Sequence, residues 1–138
     1  MKKVMVTGAF DVLHKGHEHF FREAKQQGDF LVVVVGRDKT IEKVKDELPL
    51  NNENVRLRNV KKLGIADKVV LGHEDDQLKI VEEEKPNIIC LGYDQKSFIT
   101  KGLREKLAKR GLTPEIKIME PFKPETYKSS IMKKKGLE

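Results

Sequence analysis

The chain has no tryptophan, and aromatic residues make up only 6% of its 138 residues. A platform that binds nucleic acid by stacking bases on successive rings is hard to build from two tyrosines and six phenylalanines, several of them in core-forming stretches. Nucleic acid is therefore not the expected partner. Cysteine occurs once, so no disulfide can form within the chain. That residue, Cys90, sits in the apolar run Ile88-Ile89-Cys90-Leu91, where a buried, inert thiol is expected. No apolar stretch approaches the length of a membrane span, and Met1-Lys2-Lys3 leads straight into a strand too short for a signal-peptide core. The expectation is a cytoplasmic protein with no membrane partner. Internal repeats and low-complexity linkers are also missing, which argues for a single domain over residues 1–138.

Charge is abundant. Charged residues reach 36%, and 28 basic against 22 acidic residues leave a net charge of +6. Such an excess suits an anionic partner without naming one. Beneath this surface, apolar runs alternate with helical patterns along the whole chain. Strands are predicted at Lys3–Thr7, Phe30–Gly36, Lys68–Leu71, Ile88–Leu91 and Glu115–Met119. Near-continuous Val and Ile, clearest in Leu31-Val32-Val33-Val34-Val35, is what parallel strands buried on both faces require. Helices are predicted at His17–Gln27, Asn52–Leu63, Gln77–Lys85 and Thr100–Lys109, with a short one near Ser129–Lys134. Gly28, Gly64 and Gly111 each stand where a left-handed residue would end a helix. The rhythm implies an α/β fold, a Rossmann-like doubly wound domain around a five-stranded parallel sheet.

In such a sheet, ligands bind beyond the carboxyl ends of the strands, near the point where strand order reverses. The loops to watch are Gly8–His17, Gly36-Arg37-Asp38, Gly92-Tyr93-Asp94-Gln95 and Phe122–Ser130. The first organises the rest. Strand, glycine turn, polar loop and helix together present backbone N–H groups to a phosphate. No Gly-Lys-Ser/Thr follows, so it is not a Walker A loop, and Gly8 and Gly16 do not fit the dinucleotide fingerprint. Instead two histidines, His14 and His17, flank a glycine. A zinc site would need a third ligand, and only His19, His73 and scattered carboxylates are on offer. Nucleophilic catalysis lacks a nearby serine or cysteine. Stabilising a phosphate at the helix start is the best physical fit.

The ten residues Gly8-Ala9-Phe10-Asp11-Val12-Leu13-His14-Lys15-Gly16-His17 resemble the GxFDxxHxGH signature of the cytidylyltransferase-like nucleotidyltransferases. The resemblance extends over essentially the whole chain. It implies an enzyme that transfers a nucleoside monophosphate from an NTP, ATP or CTP, to a phosphate-bearing acceptor and releases pyrophosphate, assisted by magnesium or another divalent cation. His14 and His17 would contact the triphosphate and the reacting α-phosphate, with Gly8 and the backbone amides of Ala9 and Phe10 beside them. Asp11 would shape the loop or, through water, help hold magnesium. An aspartate closing a turn through its own backbone is the plain alternative. Lys43, Lys45 and Arg56 are similar in placement to basic residues that relatives use for phosphates and acceptor, Lys45 as a catalytic residue and Arg56 at the acceptor. A solvated basic face is the competing reading. Asp38 would lie near the acceptor.

Gly92, Asp94 and Gln95 would meet the base or ribose, and Leu-Gly-x-Asp-Gln resembles the archaeal-type FAD synthases more than the glycerol-phosphate branch. In the last loop many relatives carry Arg-Thr-x-Gly-Ile-Ser-Thr. Ser129 and Ser130 preserve the hydroxyls of that motif, but its arginine is missing, leaving Lys123 or Lys128 for the far phosphates. The preferred expectation is adenylylation of FMN to FAD. A CTP:glycerol-3-phosphate cytidylyltransferase and a sugar-phosphate nucleotidyltransferase are the alternatives within the class, and a non-catalytic nucleotide-binding regulator is the alternative outside it. Relatives of this kind are often homodimers, and the partners implied are small molecules.

Overall fold

A computed structural model describes residues 1–92 and 96–119, side chains at 44 and 96–101 excepted. In chain order the elements are β1 (Lys3–Gly8), α1 (Lys15–Lys25), β2 (Phe30–Val35), α2 (Asp38–Lys45), α3 (Glu53–Lys62), β3 (Lys68–Leu71), α4 (Lys79–Glu84), β4 (Ile88–Gly92), α5 (Lys96–Ala108) and β5 (Glu115–Met119). All five strands join one parallel sheet in the order β3-β2-β1-β4-β5. The chain runs outward from β1 to β3 and then resumes on the opposite side of β1 with β4. The reversal therefore falls between β1 and β4, and the loop after β1 opens at that point.

The apolar runs are buried because both faces of the sheet are covered. Val4, Val6, Leu31, Val33, Ile88 and Cys90 meet Phe21 and Ala24 of α1 and Val60 of α3. Met5, Val32, Val34, Ile89 and Leu91 face the other way, onto Ile80 and Val81 of α4 and Leu107 of α5. Alternate residues of one strand thus feed two cores, which is why no polar face interrupts β2. Cys90 is free and fully buried. Burial pushes its thiol up to about 11, against a small opposing effect of Lys117, so it is the inert thiol expected. Among the described residues no helix is long and apolar enough to cross a membrane.

Three details differ from the sequence reading. Helix α2 was not expected: it is eight residues long, buries Ile41, and ends on Asp46 in the left-handed region (φ 60°) where no glycine announces the stop. Helix α1 starts at Lys15 instead of His17, α5 starts at Lys96 instead of Thr100, and α4 is shorter than predicted. Gly64 and Gly111 do have positive φ, but Gly28 does not. A Cβ at Gly28 would lie 2.6 Å from the Lys2 carbonyl oxygen and 2.8 Å from Val4 Cγ2, so this glycine permits a close crossing of the chain over the start of β1. The predicted helix near 129–134 lies outside the described residues.

Candidate active site

Each fixed position of the first loop has a local physical reason. Gly8 ends β1, and a Cβ there would sit 2.7 Å from Cζ of Phe10, so only glycine lets that ring fold back. Phe10 takes a left-handed backbone (φ 53°), a conformation that costs a non-glycine residue roughly 1–2 kcal/mol. Its ring offsets this by burial: it is 7% exposed and meets Phe21 edge-on at 5.0 Å and His17 at 5.8 Å between ring centroids.

The two histidines form a reciprocal cap on α1. His14 is the N-cap residue, and its Nδ1 accepts from the Gly16 N–H at 3.0 Å. His17, at the third helical position, returns the contact by accepting the His14 N–H on its own Nδ1 at 3.2 Å. This is the capping-box arrangement with imidazoles in place of the usual hydroxyl and carboxylate. Gly16 is the enabling residue between them, because a Cβ would lie 2.7 Å from Cε1 and 2.9 Å from Nδ1 of His14. A ring nitrogen that accepts a hydrogen bond carries no proton, so the neutral form of each imidazole holds its proton on Nε2. The cap thus sets the tautomer of two rings whose centroids are 4.1 Å apart. Both keep Nε2–H as a donor.

Burial, reinforced by the neighbouring His14, lowers His17 from 6.5 to about 4. It is neutral at pH 7, a donor that does not bring a positive charge of its own. Because the unfolded chain takes up this proton near pH 6.5 and the folded one only near 4, stability contributed by neutral His17 is complete above pH 6.5. It is lost as pH falls from there toward 4, on the order of 1–3 kcal/mol. Melting temperature should accordingly drop between pH 6.5 and 4, and a His17→Gln protein should show a shallower drop. Parallel pH profiles for the two proteins would contradict this account of His17.

Asp11 reaches across the sequence. Its carboxylate accepts the Leu50 N–H at 2.7 Å, the Asn51 N–H at 2.9 Å and the Asn51 side-chain amide at 3.2 Å, and its own carbonyl accepts from the same amide at 2.9 Å. Partial burial raises its pKa, but these hydrogen bonds and the charge of Arg56 prevail and hold it below 3.8. Asp11 therefore anchors a distant loop, and the local-turn alternative does not apply. Both carboxylate oxygens are committed to N–H donors, and no group of three His, Cys, Asp or Glu able to hold a metal occurs among the described residues. The side chains described do not fit a protein-built magnesium site.

Arg56 is placed differently from an acceptor ligand at a surface. Its side chain is fully buried. Nε donates to the Asn51 carbonyl at 2.9 Å, Nη1 to the Ala9 carbonyl at 2.8 Å, and Nη2 to Asp38 Oδ1 at 2.7 Å. Asp38 opens α2, and its N–H is held at 2.9 Å by Glu53, the first residue of α3, which also lies 3.2 Å from Arg37. The loop after β1, the loop after β2 and the 46–52 segment are thus tied at one guanidinium. Sequence reasoning missed Asn51 and Glu53 in this knot. Lys43 and Lys45 are exposed in the last turn of α2, a position that also favours cations through the helix dipole. Gly92 ends β4 beside β1, whereas Asp94, Gln95, Lys123, Lys128, Ser129 and Ser130 lie outside the described residues.

A cytidylyltransferase-like family model matches residues 5–135. The chain belongs to this family. It is 44% identical over 138 residues to an FAD synthase of Thermoplasma volcanium, covering 100% of this chain and 96% of the relative. An FAD synthase of Aciduliprofundum boonei is 50% identical over 116 residues, 84% of this chain and 76% of the relative. Among solved structures, a crystal structure of a lipopolysaccharide core biosynthesis protein from Thermoplasma volcanium superposes with a TM-score of 0.82 at 46% identity, covering 88% of this chain and 98% of the other. A pantoate-beta-alanine ligase from Francisella tularensis shares the fold at 16% identity, with a TM-score of 0.62 over 96% of this chain and 67% of its own.

Proposed function

We propose that the chain is an FAD synthase, transferring AMP from ATP to FMN. A phosphate oxygen of FMN attacks the α-phosphorus of ATP, the bond from that phosphorus to the β-bridging oxygen breaks, and pyrophosphate leaves. The reading rests above all on the reciprocal histidine cap at the carboxyl end of β1, in a chain similar over its whole length to FAD synthases. No covalent intermediate is needed, so the lack of a neighbouring nucleophile is no obstacle.

In this mechanism the Nε2–H groups of His14 and His17, with the N-terminus of α1 behind them, stabilise negative charge that builds on the α-phosphate and the leaving pyrophosphate. The donors are set before substrate arrives, because each Nδ1 is already occupied. Gly8, Ala9 and Phe10 line the same loop. Lys45 and Lys43, exposed beyond Asp38, take the acceptor phosphate and the triphosphate. Gly92, Asp94 and Gln95 take the adenine nucleotide, and Ser129 and Ser130 with Lys123 or Lys128 take the far phosphates. A divalent cation would be carried in with the triphosphate oxygens.

Pyrophosphate release should be measured for ATP and CTP against FMN, glycerol 3-phosphate and heptose 1-phosphate. ATP with FMN is expected to give sustained release and FAD. CTP turnover with glycerol 3-phosphate, or ATP turnover with the sugar phosphate alone, would replace the acceptor assigned here. Nucleotide binding without release from any pair would make the protein a binding regulator.

A further inference from the structure

We propose that Arg56 is a positioning residue for the nucleotide, and that it acts by fixing the direction of one backbone N–H, that of Phe10. The proposal deepens the functional reading above and rests on it for the identity of the nucleotide.

The peptide between Ala9 and Phe10 is held from both sides. On the Ala9 side, the carbonyl oxygen accepts from Nη1 of Arg56 at 2.8 Å. On the Phe10 side, the ring is locked against Gly8, Phe21 and His17, and the backbone is in the left-handed region at φ 53°. In a trans peptide the carbonyl and the following N–H point in opposite directions. No peptide in the described chain is cis. With the Ala9 carbonyl turned to the buried guanidinium, the Phe10 N–H must therefore face away from Arg56. Among the described residues it has no hydrogen-bond partner.

A strained backbone, a pinned carbonyl and an N–H left without a protein acceptor, four residues ahead of the histidine cap, form a donor held ready for an anion. Arg56 is suited to hold it. The guanidinium is rigid and fully buried, and its remaining bonds to the Asn51 carbonyl and to Asp38 prevent it from turning. A lysine could reach one of the three acceptors but could not span all of them.

The test is a titration of ¹⁵N-labelled protein with ATP in the absence of FMN, run on wild type and on Arg56→Lys. In wild type the Phe10 amide resonance is expected to shift on ATP binding. In Arg56→Lys that shift should be lost and the Kd for ATP should rise by at least about tenfold. In steady state kcat should fall about a hundredfold, as when one oxyanion donor is removed, while KM for FMN stays within about twofold. A Phe10 resonance that ATP does not move in wild type overturns the proposal. So does a variant whose KM for FMN rises tenfold with kcat preserved at saturation, which is the behaviour of an acceptor ligand. Arg56→Met, which fills much of the same buried space but has no donor for the Ala9 carbonyl, serves with the same expected outcomes where the lysine variant does not fold. Because the titration needs no acceptor, failure of FMN as substrate leaves this result standing.

Discussion

His14→Asn and His17→Gln are expected to leave the protein folded and to lower pyrophosphate release by about a hundred- to a thousandfold each, the range seen when a transition-state donor is removed. The choice of replacement matters. Asparagine is among the best N-cap residues, and glutamine at the third helical position completes a capping box, so both variants keep the backbone contacts that His14 and His17 now make to the start of α1. What they lose is the imidazole Nε2–H. His14→Ala removes the cap as well and should cost about 1 kcal/mol of stability on top of the activity. The readouts are pyrophosphate release at saturating ATP and FMN, and the melting temperature. If His14→Asn restored near-normal turnover, the histidine would be a helix cap and nothing more. A loss shared equally by stability and activity in all three variants would lead to the same conclusion.

The ring-to-backbone contacts explain how much of the site could be read without a structure. A glycine two residues after the first histidine and a second histidine one further on are local facts, and their geometry follows from helix capping alone. The central strands were legible for a related reason. The central strands β1, β2 and β4 differ from the predicted ones by one residue at an end, because strands buried on both faces show as unbroken apolar runs. The partly exposed edge strands β3 and β5 lie at the predicted residues through their short Val and Ile content alone. Helix α2 was hidden because it is short and stops on Asp46, so neither periodicity nor a glycine marked it.

Contacts across the sequence left almost no local trace. Nothing near Asp11 points to Leu50 and Asn51, which lie 39 and 40 residues further along. Arg56 did leave a sign: with Val60, four positions on, it occupies the buried stripe of α3. An arginine on a core-facing stripe is rarely a free ligand, since burying its charge requires several fixed acceptors. That burial makes Arg56 a structural tether, a role the sequence reading of an acceptor ligand did not include.

Asp11→Ala should separate the two roles open to this carboxylate. The carboxylate takes the N–H groups of Leu50 and Asn51 and one bond from the Asn51 side chain, so the substitution removes these three bonds and loosens the 46–52 loop from the loop after β1, while the backbone carbonyl can keep its bond from the Asn51 amide. The expected loss is about 1–3 kcal/mol, toward the low end because the Leu50 N–H is exposed and can turn to water. Turnover should fall further than this suggests, because the freed loop also carries the Asn51 carbonyl that steadies Arg56. The half-saturating magnesium concentration, however, should not change. A carboxylate that held the cation through water would, when removed, shift that concentration upward by about tenfold or more. Acid provides an independent check. The native pKa of Asp11 lies below 3.8, so its contribution is intact above that value and disappears only as pH falls through the lowered pKa. Wild type and Asp11→Ala should therefore differ in melting temperature at neutral pH and converge in strong acid. Combined with an unchanged magnesium requirement, this convergence would identify Asp11 as the tether that keeps the histidine loop and the Arg56 knot in register.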